Sequence, residues 1–475
     1  MKYLRIISAT LAILSPVLLL LGIALSLTPT YADTFLAALN DKYERLYSLE
    51  GEKTVIVGGS SVAFGYESDI LEKYLERPVV NFGLYAALGT KLMLDLSIDA
   101  IGAGDIVLLA PELDAQTLSL YFNAESTWQA SEERRDMLRH LDIDDSLAML
   151  GGAWRYVTAS GGAQLGGALP SPEGAYRRDS FDAAGDLEYP REHNVMMGYY
   201  DAKHPVTLHP DIVSEDFIAY LNAYIAECKA RGATVYFVFC PVNSLALTEA
   251  SDPDALLAYL KAQLDCPVLG SPEEHVFEPG YFYDTNFHLN DAGVIAHTVA
   301  VTKEILRDMR IPSIVSEKIP PAPALPMIDL IYDGEDENAQ DFTYELTDMG
   351  MMITGLTERG KEKQILTVPV GADGYYVTLI GPRALEGGCA TTLILPSDTH
   401  VFSFETDAFS GSGLSHLVFG ILDDMAIMPP ESFDGVGSDF TVHVLAGSTF
   451  NVGYFWGECG LTFRFDAQEY LPTAS

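Results

Sequence analysis

Short apolar runs alternate with longer amphipathic segments through the first two thirds of the chain. The runs are typical of buried strands and lie at residues 54–57, 79–82, 106–110 and 234–239. Helical patterns occupy residues 33–50, 67–76, 91–101, 214–231, 252–264 and 291–310. Strands that alternate with helices of this length predict an α/β fold, in which a parallel sheet is covered by helices on both faces.

Two segments interrupt this alternation. Residues 120–210 are less regular and rich in glycine, and we interpret them as an insertion over one end of the sheet. Residues 316–326 are rich in proline, which favours an extended linker. Beyond the linker, long helical patterns give way to short β-like runs with glycine and threonine. The sequence therefore predicts an α/β domain over 33–315 and a smaller β-rich domain over 327–475.

The second predicted domain contains an internal repeat with a step of 24 residues. Three pairs, each followed by glycine, recur at this step: Ala384-Leu385, Ala408-Phe409 and Ser432-Phe433, with Gly387, Gly411 and Gly435. A strand-like run follows each glycine, at 393–395, 417–419 and 441–444. A period of 20–29 residues with one strand per unit is typical of a leucine-rich solenoid. The alternative is a small β-sandwich in which the spacing is accidental.

The repeat resembles the BspA-like leucine-rich repeats of bacterial surface proteins. Residues 380–387 and 407–411 carry the resemblance, which covers roughly residues 350–446. The resemblance implies a right-handed solenoid with a role in adhesion or protein interaction. A protein or glycan ligand of the repeats is therefore one expected partner.

The N-terminus carries an uncharged run over residues 6–27, after Lys2 and Arg5. A bilayer requires ~20 helical residues, and a basic flank stays on the cytoplasmic side. The sequence therefore predicts a membrane helix, a signal anchor within residues 1–32, which holds an extracytoplasmic body at the cell membrane. The alternative is a cleaved signal peptide, which would leave a secreted protein.

Acidic residues outnumber basic ones by 67 to 28, and the net charge is −39. This balance argues against a nucleic-acid partner, because such proteins need a basic face to neutralise phosphates. It also argues against attachment to anionic lipid through charge alone.

The cysteines fit no disulfide framework or zinc motif. They are Cys228, Cys240, Cys266, Cys389 and Cys459. We expect most of them to be small core residues, with one pair left as a candidate for a disulfide bond.

Residues 57–65 place Ser60 and Ser61 in a glycine turn, directly after a predicted strand and before a helix. This position lies at the carboxyl end of a parallel sheet, where α/β proteins bind ligands. A helix N-terminus also stabilises a developing oxyanion. Taken alone, however, the serines are equally explained as helix caps.

Residues 282–293 place Asp284 and His288 just before the last predicted helix. A serine nucleophile requires a base, and the base requires a carboxylate that orients it. The alternative is structural, with His288 or Asp291 acting as the helix cap.

Together, these two segments resemble the SGNH (GDSL-like) hydrolase family, whose first block is Gly-Asp-Ser-x-x-x-Gly and whose last block is Asp-x-x-His. Residues 59–65 match the first block with Ser60 in place of the aspartate, which makes Ser61 the candidate nucleophile. The resemblance implies that His288 is the base and Asp284 the acid, although their spacing is one residue longer than in the family. It also implies a flavodoxin-like, three-layer domain with a parallel sheet.

The family's middle blocks are matched less closely. Residues 80–90 match the turn after the second strand, with Gly83 as the turn glycine and Ala86 as the backbone oxyanion donor. Glu112 stands where the family has an oxyanion-binding asparagine. An ionised glutamate repels an oxyanion, so Glu112 contributes only when it is protonated or when it binds a substrate hydroxyl. Asn243 is an alternative amide donor.

Envelope-associated relatives diverge from the standard blocks in a similar way; examples are the D-alanyl-lipoteichoic acid transfer protein and the alginate O-acetyltransferases. The resemblance covers roughly residues 50–312. It implies a serine acyl esterase or O-acyltransferase acting on an acylated carbohydrate or glycopolymer of the bacterial envelope, with no metal or other cofactor. The alternative is a non-catalytic surface protein in which a degenerate scaffold carries ligand-binding repeats. Glu112 and the longer Asp-His spacing favour this alternative.

Overall fold

The computed structural model describes residues 29–166, 169–170, 172, 174–326, 330–347, 349–421, 428–446 and 461–471. The chain divides into two compact units. The first comprises the described residues up to Asn194 and residues 206–324, and the second comprises residues 195–205 and the chain from Leu325 onward. The division after Ala324 falls within the predicted linker. Residues 195–205, which we predicted within the insertion of the first domain, belong instead to the second unit.

The first unit is built on a parallel sheet with the strand order β2-β1-β3-β4. The strands are β1 (Thr54–Gly58), β2 (Val79–Gly83), β3 (Ile106–Ala110) and β4 (Thr234–Phe237). β1, β2 and β3 are buried along their whole length, as expected for strands covered on both faces. The predicted α/β class with a parallel sheet is confirmed.

Helices join and cover these strands. They are α1 (Ala38–Ser48), α2 (Ser60–Ala63), α3 (Ser68–Leu75), α4 (Thr90–Ser97), α5 (Ala124–Ala130), α6 (Ile143–Gly166), α7 (Glu215–Ala230), α8 (Pro253–Gln263) and α9 (Asp291–Asp308). A small sheet pairs β5 (Val242–Asn243) with β6 (Val276–Phe277). Four of these helices, α5, α7, α8 and α9, begin after a side chain that accepts a backbone N–H of the first turn, namely Asn123, Ser214, Asp252 and Asn290. Such caps satisfy donors that a helix start leaves unpaired.

The prediction that residues 120–210 are irregular is wrong for α5 and α6. α6 includes the glycine pairs 151–152 and 161–162, although glycine disfavours a helix interior by ~1 kcal/mol per residue. One face of α6 packs in a small core formed by Trp128, Met149, Ala153 and Tyr156. Burial of this face outweighs the low helix propensity of the glycines.

The second unit consists mainly of short strands in two sheets. One is a ladder of β9 (Ile365–Thr367), β12 (Thr392–Leu395), β14 (His416–Phe419), β15 (Thr441–His443) and β16 (Thr462–Arg464). The other contains β7 (Phe342–Thr347), β8 (Gly350–Leu356), β10 (Gly371–Ala372), β11 (Tyr375–Ile380) and β13 (Ser403–Phe404). A short helix, α10 (Glu358–Lys361), follows β8.

The 24-residue step of the sequence appears in the ladder as successive parallel strands. Thr392 pairs with His416, which is 24 residues further along the chain, and His416 pairs with Thr441, which is 25 residues further along. The first residue of each repeated pair is fully buried, and the three repeated glycines have φ angles of 73°, 71° and 79°. All pairings in the ladder are parallel, unlike the antiparallel pairing of a small β-sandwich.

The predicted anchor run, residues 6–27, lies outside the described residues. Within the part of the chain that the structure describes, no helix is long and apolar enough to cross a membrane.

Four of the cysteines fall in the described ranges, and all four are unbridged. Cys228, Cys240 and Cys266 are buried and Cys389 is exposed, while Cys459 lies outside the described residues. The expectation of small core residues is confirmed for the three buried ones.

Candidate functional site

Ser61 lies in the first turn of α2, which follows β1 after a single residue, Gly59. The turn sits directly on the end of β2, where a Cβ on Gly83 would clash with the side chain of Val62. Glycine at position 83 therefore permits this close approach. Ser61 is fully buried, and its Oγ has no hydrogen-bond partner among the described residues.

Asp284 and His288 form a hydrogen-bonded pair in the loop before α9. The distance from His288 Nδ1 to Asp284 Oδ1 is 2.8 Å. The loop is closed by the Tyr283 N–H, which donates to the His288 carbonyl at 2.8 Å, and the Thr285 hydroxyl accepts the His288 N–H at 3.1 Å. The extra residue between acid and histidine therefore does not prevent the bond.

The cap of α9 is Asn290, whose Oδ1 accepts the Gly293 N–H at 3.0 Å. The alternative prediction, in which His288 or Asp291 is this cap, is wrong. Asp291 instead accepts the backbone N–H of Arg191 at 3.0 Å. The imidazole of His288 is thus not engaged as the cap of the helix that follows it.

Tyr176 completes the environment of Asp284, because its hydroxyl donates to Asp284 Oδ2 at 2.7 Å. Burial, and then the neighbouring Asp284, raise the pKa of Tyr176, so its hydroxyl stays protonated. Burial opposes ionisation of Asp284, but the charge and hydrogen bond of His288, helped by Tyr176, hold its pKa below the ordinary value. A carboxylate at this position favours the tautomer with a proton on His288 Nδ1, which leaves Nε2 as a proton acceptor.

The loop that carries His288 packs against the turn that carries Ser61. The ring of Phe64, three residues after Ser61, stacks on the imidazole of His288 with 3.9 Å between centroids and 6° between planes. The Arg191 guanidinium lies 5.6 Å from the Phe64 ring centroid, and its Nε donates to the Leu289 carbonyl at 3.2 Å. These contacts bring the predicted nucleophile, base and acid to the same end of the sheet.

Glu112 accepts the Ser61 N–H, one of the two backbone groups predicted as oxyanion donors. Its Oε1 accepts the Ser61 N–H at 2.7 Å and the Ser60 hydroxyl at 2.8 Å. A Cβ built on Gly59 would lie 3.0 Å from this oxygen and 3.3 Å from the backbone nitrogen of Ala86. Gly59 therefore lies close both to the carboxyl of Glu112, which holds the Ser61 N–H, and to the backbone of Ala86.

The pKa of the Glu112 carboxyl is raised. Burial is the main cause and nearby Asp114 adds to it, while His288 and the two hydrogen-bond donors act in the opposite direction. The carboxyl of Glu112 therefore stays protonated to a higher pH than the carboxyl of an exposed glutamate does.

Asn243, the alternative amide donor, has a local role in the structure. Its Oδ1 accepts the Leu245 N–H at 3.1 Å and caps a short 3₁₀ turn. Its backbone N–H donates to the Asn286 carbonyl at 3.0 Å, which joins β5 to the loop of His288. These contacts support a positioning role for Asn243 at the loop of His288.

Sequence reasoning missed three residues of this site: Phe64, Tyr176 and Arg191. Phe64 lies inside the matched first block, and its aromatic side chain next to the predicted nucleophile was the feature that could have identified it as a site residue. Tyr176 and Arg191 come from the insertion, and no motif there indicates that they approach a loop about 100 residues away in sequence.

Other histidines of the described residues also contact acidic side chains, and in the second unit His443 contacts both His416 and Asp466. His275 Nε2 lies 3.1 Å from Glu304 Oε1, and His204 Nδ1 lies 2.6 Å from Asp201 Oδ2. Across the described ranges, no group of three or more His, Cys, Asp or Glu side chains is arranged to hold a metal ion.

Comparison with known proteins gave no match: no family model, no curated protein and no solved structure matches this chain. The function proposed below therefore rests on the geometry of the site and on the residues that resemble family blocks.

Proposed function

We propose that this chain is an extracytoplasmic serine acyl esterase or O-acyltransferase with an SGNH-like first unit. The observation that carries the proposal is the His288–Asp284 pair, which stacks through His288 on the turn that begins with Ser60 and Ser61. The topology supports it, because Val268 bridges β4 in parallel at the sheet edge. This extends the strand order toward the 2-1-3-4-5 of flavodoxin-like sheets, whose ligands bind at the carboxyl edge.

In the proposed reaction, Ser61 Oγ attacks the acyl carbonyl of an envelope glycan or glycopolymer, and His288 Nε2 accepts the serine proton. Asp284 stabilises the resulting imidazolium. The oxyanion accepts hydrogen bonds from the Ser61 and Ala86 N–H groups. Collapse of the tetrahedral intermediate expels the alcohol, which takes the proton from His288, and leaves acyl-Ser61. Transfer to water makes the protein an esterase, and transfer to a sugar hydroxyl makes it a transferase.

Glu112 sets a condition on this reaction. As a carboxylate it occupies the Ser61 N–H and repels the developing oxyanion, whereas as a neutral acid it offers an O–H donor. We infer that the reactive form carries a neutral Glu112. Because Ser61 is fully buried, the groups that cover it must also move when a substrate enters.

Intact-mass analysis of the detergent-solubilised full chain after exposure to a fluorophosphonate probe tests the proposal. We expect one adduct that is lost in Ser61→Ala and in His288→Ala. Ser60→Ala is the matched control and should keep the adduct, because Ser60 is the neighbouring serine with its hydroxyl bonded to Glu112. An adduct that survives Ser61→Ala, or no adduct on the folded wild type, would contradict the assignment of the nucleophile.

A second candidate function is a non-catalytic surface protein in which BspA-like leucine-rich repeats in the second unit bind a protein or glycan. Two observations favour it: Glu112 already holds the Ser61 N–H, and Ser61 Oγ has no hydrogen-bond partner among the described residues. The parallel ladder with its 24-residue step supports a repeat solenoid. In this case the wild type would form no adduct and Ser61→Ala would not change ligand binding.

Both functions include an extracytoplasmic location, which rests on the apolar run over residues 6–27. We propose an uncleaved anchor at the cell membrane. N-terminal sequencing of the cell-derived protein tests it: a first residue beyond position 27 would identify a secreted protein instead.

A further inference from the structure

The outward face of α6 is apolar from Ile143 to Trp154, over the first half of the helix. Ile143, Leu147, Leu150 and Trp154 are 72%, 57%, 68% and 68% exposed. Their spacing of four, three and four residues places them in one row, which we call the α6 stripe. Single exposed leucines are ordinary, but a contiguous apolar row on a helix indicates an interaction surface.

The fold of the first unit does not account for the stripe, because α6 is attached through its opposite face. Met149, Ala153 and Tyr156 are buried against Trp128, whose indole N–H donates to the Met149 carbonyl at 2.9 Å. The charged residues Asp144 and Arg155 lie beside the stripe, not within it. The apolar side chains of the stripe therefore remain in contact with water in the isolated chain.

The start of the described chain lies against the same helix. Thr30 Oγ1 accepts hydrogen bonds from the Ser160 hydroxyl at 2.9 Å and from Gln164 Nε2 at 2.8 Å. Thr30 is only three residues beyond Leu27, where the predicted anchor run ends, and three extended residues span at most ~11 Å. If that run enters a bilayer, the C-terminal turns of α6 lie close to the bilayer surface.

We propose that the α6 stripe docks on the outer surface of the lipid bilayer, beside the N-terminal run. α6 would lie in the plane of the interface with Trp154 at the level of the headgroups, as amphipathic interfacial helices do. The proposal commits to lipid and not to a second copy, because the predicted anchor holds the stripe at a high effective concentration near the bilayer. It depends on that anchor and is independent of the acyl chemistry of Ser61.

Apolar contact, and not charge, would hold the stripe on the membrane. The chain carries a net charge of −39, so anionic lipids repel it. Docking should therefore be strongest on zwitterionic lipid and insensitive to salt.

Fluorescence quenching in nanodiscs tests the proposal. The full chain is reconstituted in phosphatidylcholine nanodiscs that contain lipids brominated on the acyl chain next to the headgroup. The fluorescence of Trp154 is obtained as the difference in emission between the wild type and Trp154→Phe. We expect the brominated lipids to quench about half of this fluorescence or more. The double variant Leu147→Glu/Leu150→Glu should lose this quenching, while the anchor keeps the protein in the disc.

The matched control is Ala148→Glu/Ala159→Glu, which adds the same charge at exposed positions on the flank of α6 and should keep the quenching. If the glutamate variant unfolds at a lower temperature than the wild type, the milder double variant Leu147→Ser/Leu150→Ser is used in its place. Three results would overturn the proposal: equal Trp154 signals in brominated and ordinary lipid, quenching that disappears in 1 M salt, or a dimer in the discs that the stripe variants dissociate. The last result would assign the stripe to a second copy of the chain.

Discussion

Among single residues, Glu112 has the largest consequence for the site, since its carboxyl oxygen lies 2.7 Å from the Ser61 nitrogen. The same oxygen accepts the Ser60 hydroxyl, and the side chain is almost fully buried. In the proposed reaction, an oxyanion and an ionised Glu112 would compete for one donor. Under that proposal, the protonation state of Glu112 links pH to both activity and stability.

We expect Glu112→Gln to raise the kcat/KM for a simple aryl ester at neutral pH by ~10-fold or more, because the amide donates where the carboxylate repels. Wild-type activity should decline as pH rises and Glu112 ionises, and the variant should lack that decline. The pH profiles of the two proteins provide the measurement. Glu125→Gln, at an exposed position of α5, is the control and should keep the wild-type profile.

The pH dependence of thermal stability reports on the protonation of Glu112 without any substrate. The folded state raises the pKa of Glu112, so its stabilising contribution is complete below the unfolded value of ~4.3 and is lost as pH rises through the folded value. The difference in melting temperature between Glu112→Gln and the wild type should therefore grow across this range. A difference that does not vary with pH, together with identical activity profiles, would remove Glu112 from the proposed role.

At the scale of elements, the repeat of the second unit depends on turns that bring the chain back to the ladder. Gly411 has a φ of 71°, and the nearest atoms to a Cβ there belong to the flexible side chain of Glu386, at 3.1 Å and beyond. The cost of substitution at this position is therefore mainly backbone strain.

We expect Gly411→Ala to lower the free energy of unfolding of the second unit by ~1–2 kcal/mol. Hydrogen exchange of the amides in β12 and β14 measures this unit separately from the first. Gly413→Ala is the matched control, because the φ of Gly413 is not positive and an added Cβ would be 3.5 Å from the Ala390 carbonyl oxygen, an ordinary contact. Equal loss of protection in the two variants would show that the left-handed turn is not the cause.

Element limits were largely predictable from the sequence, because apolar runs and caps are local signals. The apolar run at 54–57 corresponds to the observed strand Thr54–Gly58, and the helical pattern at 291–310 corresponds to the observed helix Asp291–Asp308. α6 was missed because its glycines disfavour a helix, whereas the tertiary packing of its buried face, against Trp128 among other residues, stabilises it.

At the scale of the whole molecule, the chain passes from the first unit to the second, back, and forward again. Residues 195–205 belong to the second unit, and the Tyr199 hydroxyl donates to the Pro326 carbonyl at 2.9 Å. A cut in the proline-rich linker therefore does not separate the two units cleanly.

We expect truncation after Ala324 to leave residues 195–205 without their partners in the second unit. Tryptic cleavage after Lys203 should become ~10-fold faster than in the full chain, because segments that lose their contacts open more often. Mass spectrometry of the fragments over time provides the measurement. Cleavage after Lys261, an exposed residue of α8, should not change and serves as the internal control. Equal rates after Lys203 in both proteins would contradict the division.

The sequence by itself determined the parallel α/β unit, the 24-residue ladder and the candidates Ser61, Asp284 and His288. These follow from periodicity and from spacing within short blocks, which neighbouring residues encode. Only the tertiary structure decided that Tyr176 supports Asp284 from 108 residues away and that Glu112 holds the Ser61 N–H from 51 residues away. It also decided that residues 195–205 join the second unit. Such contacts depend on how the whole chain packs, and no local preference specifies them.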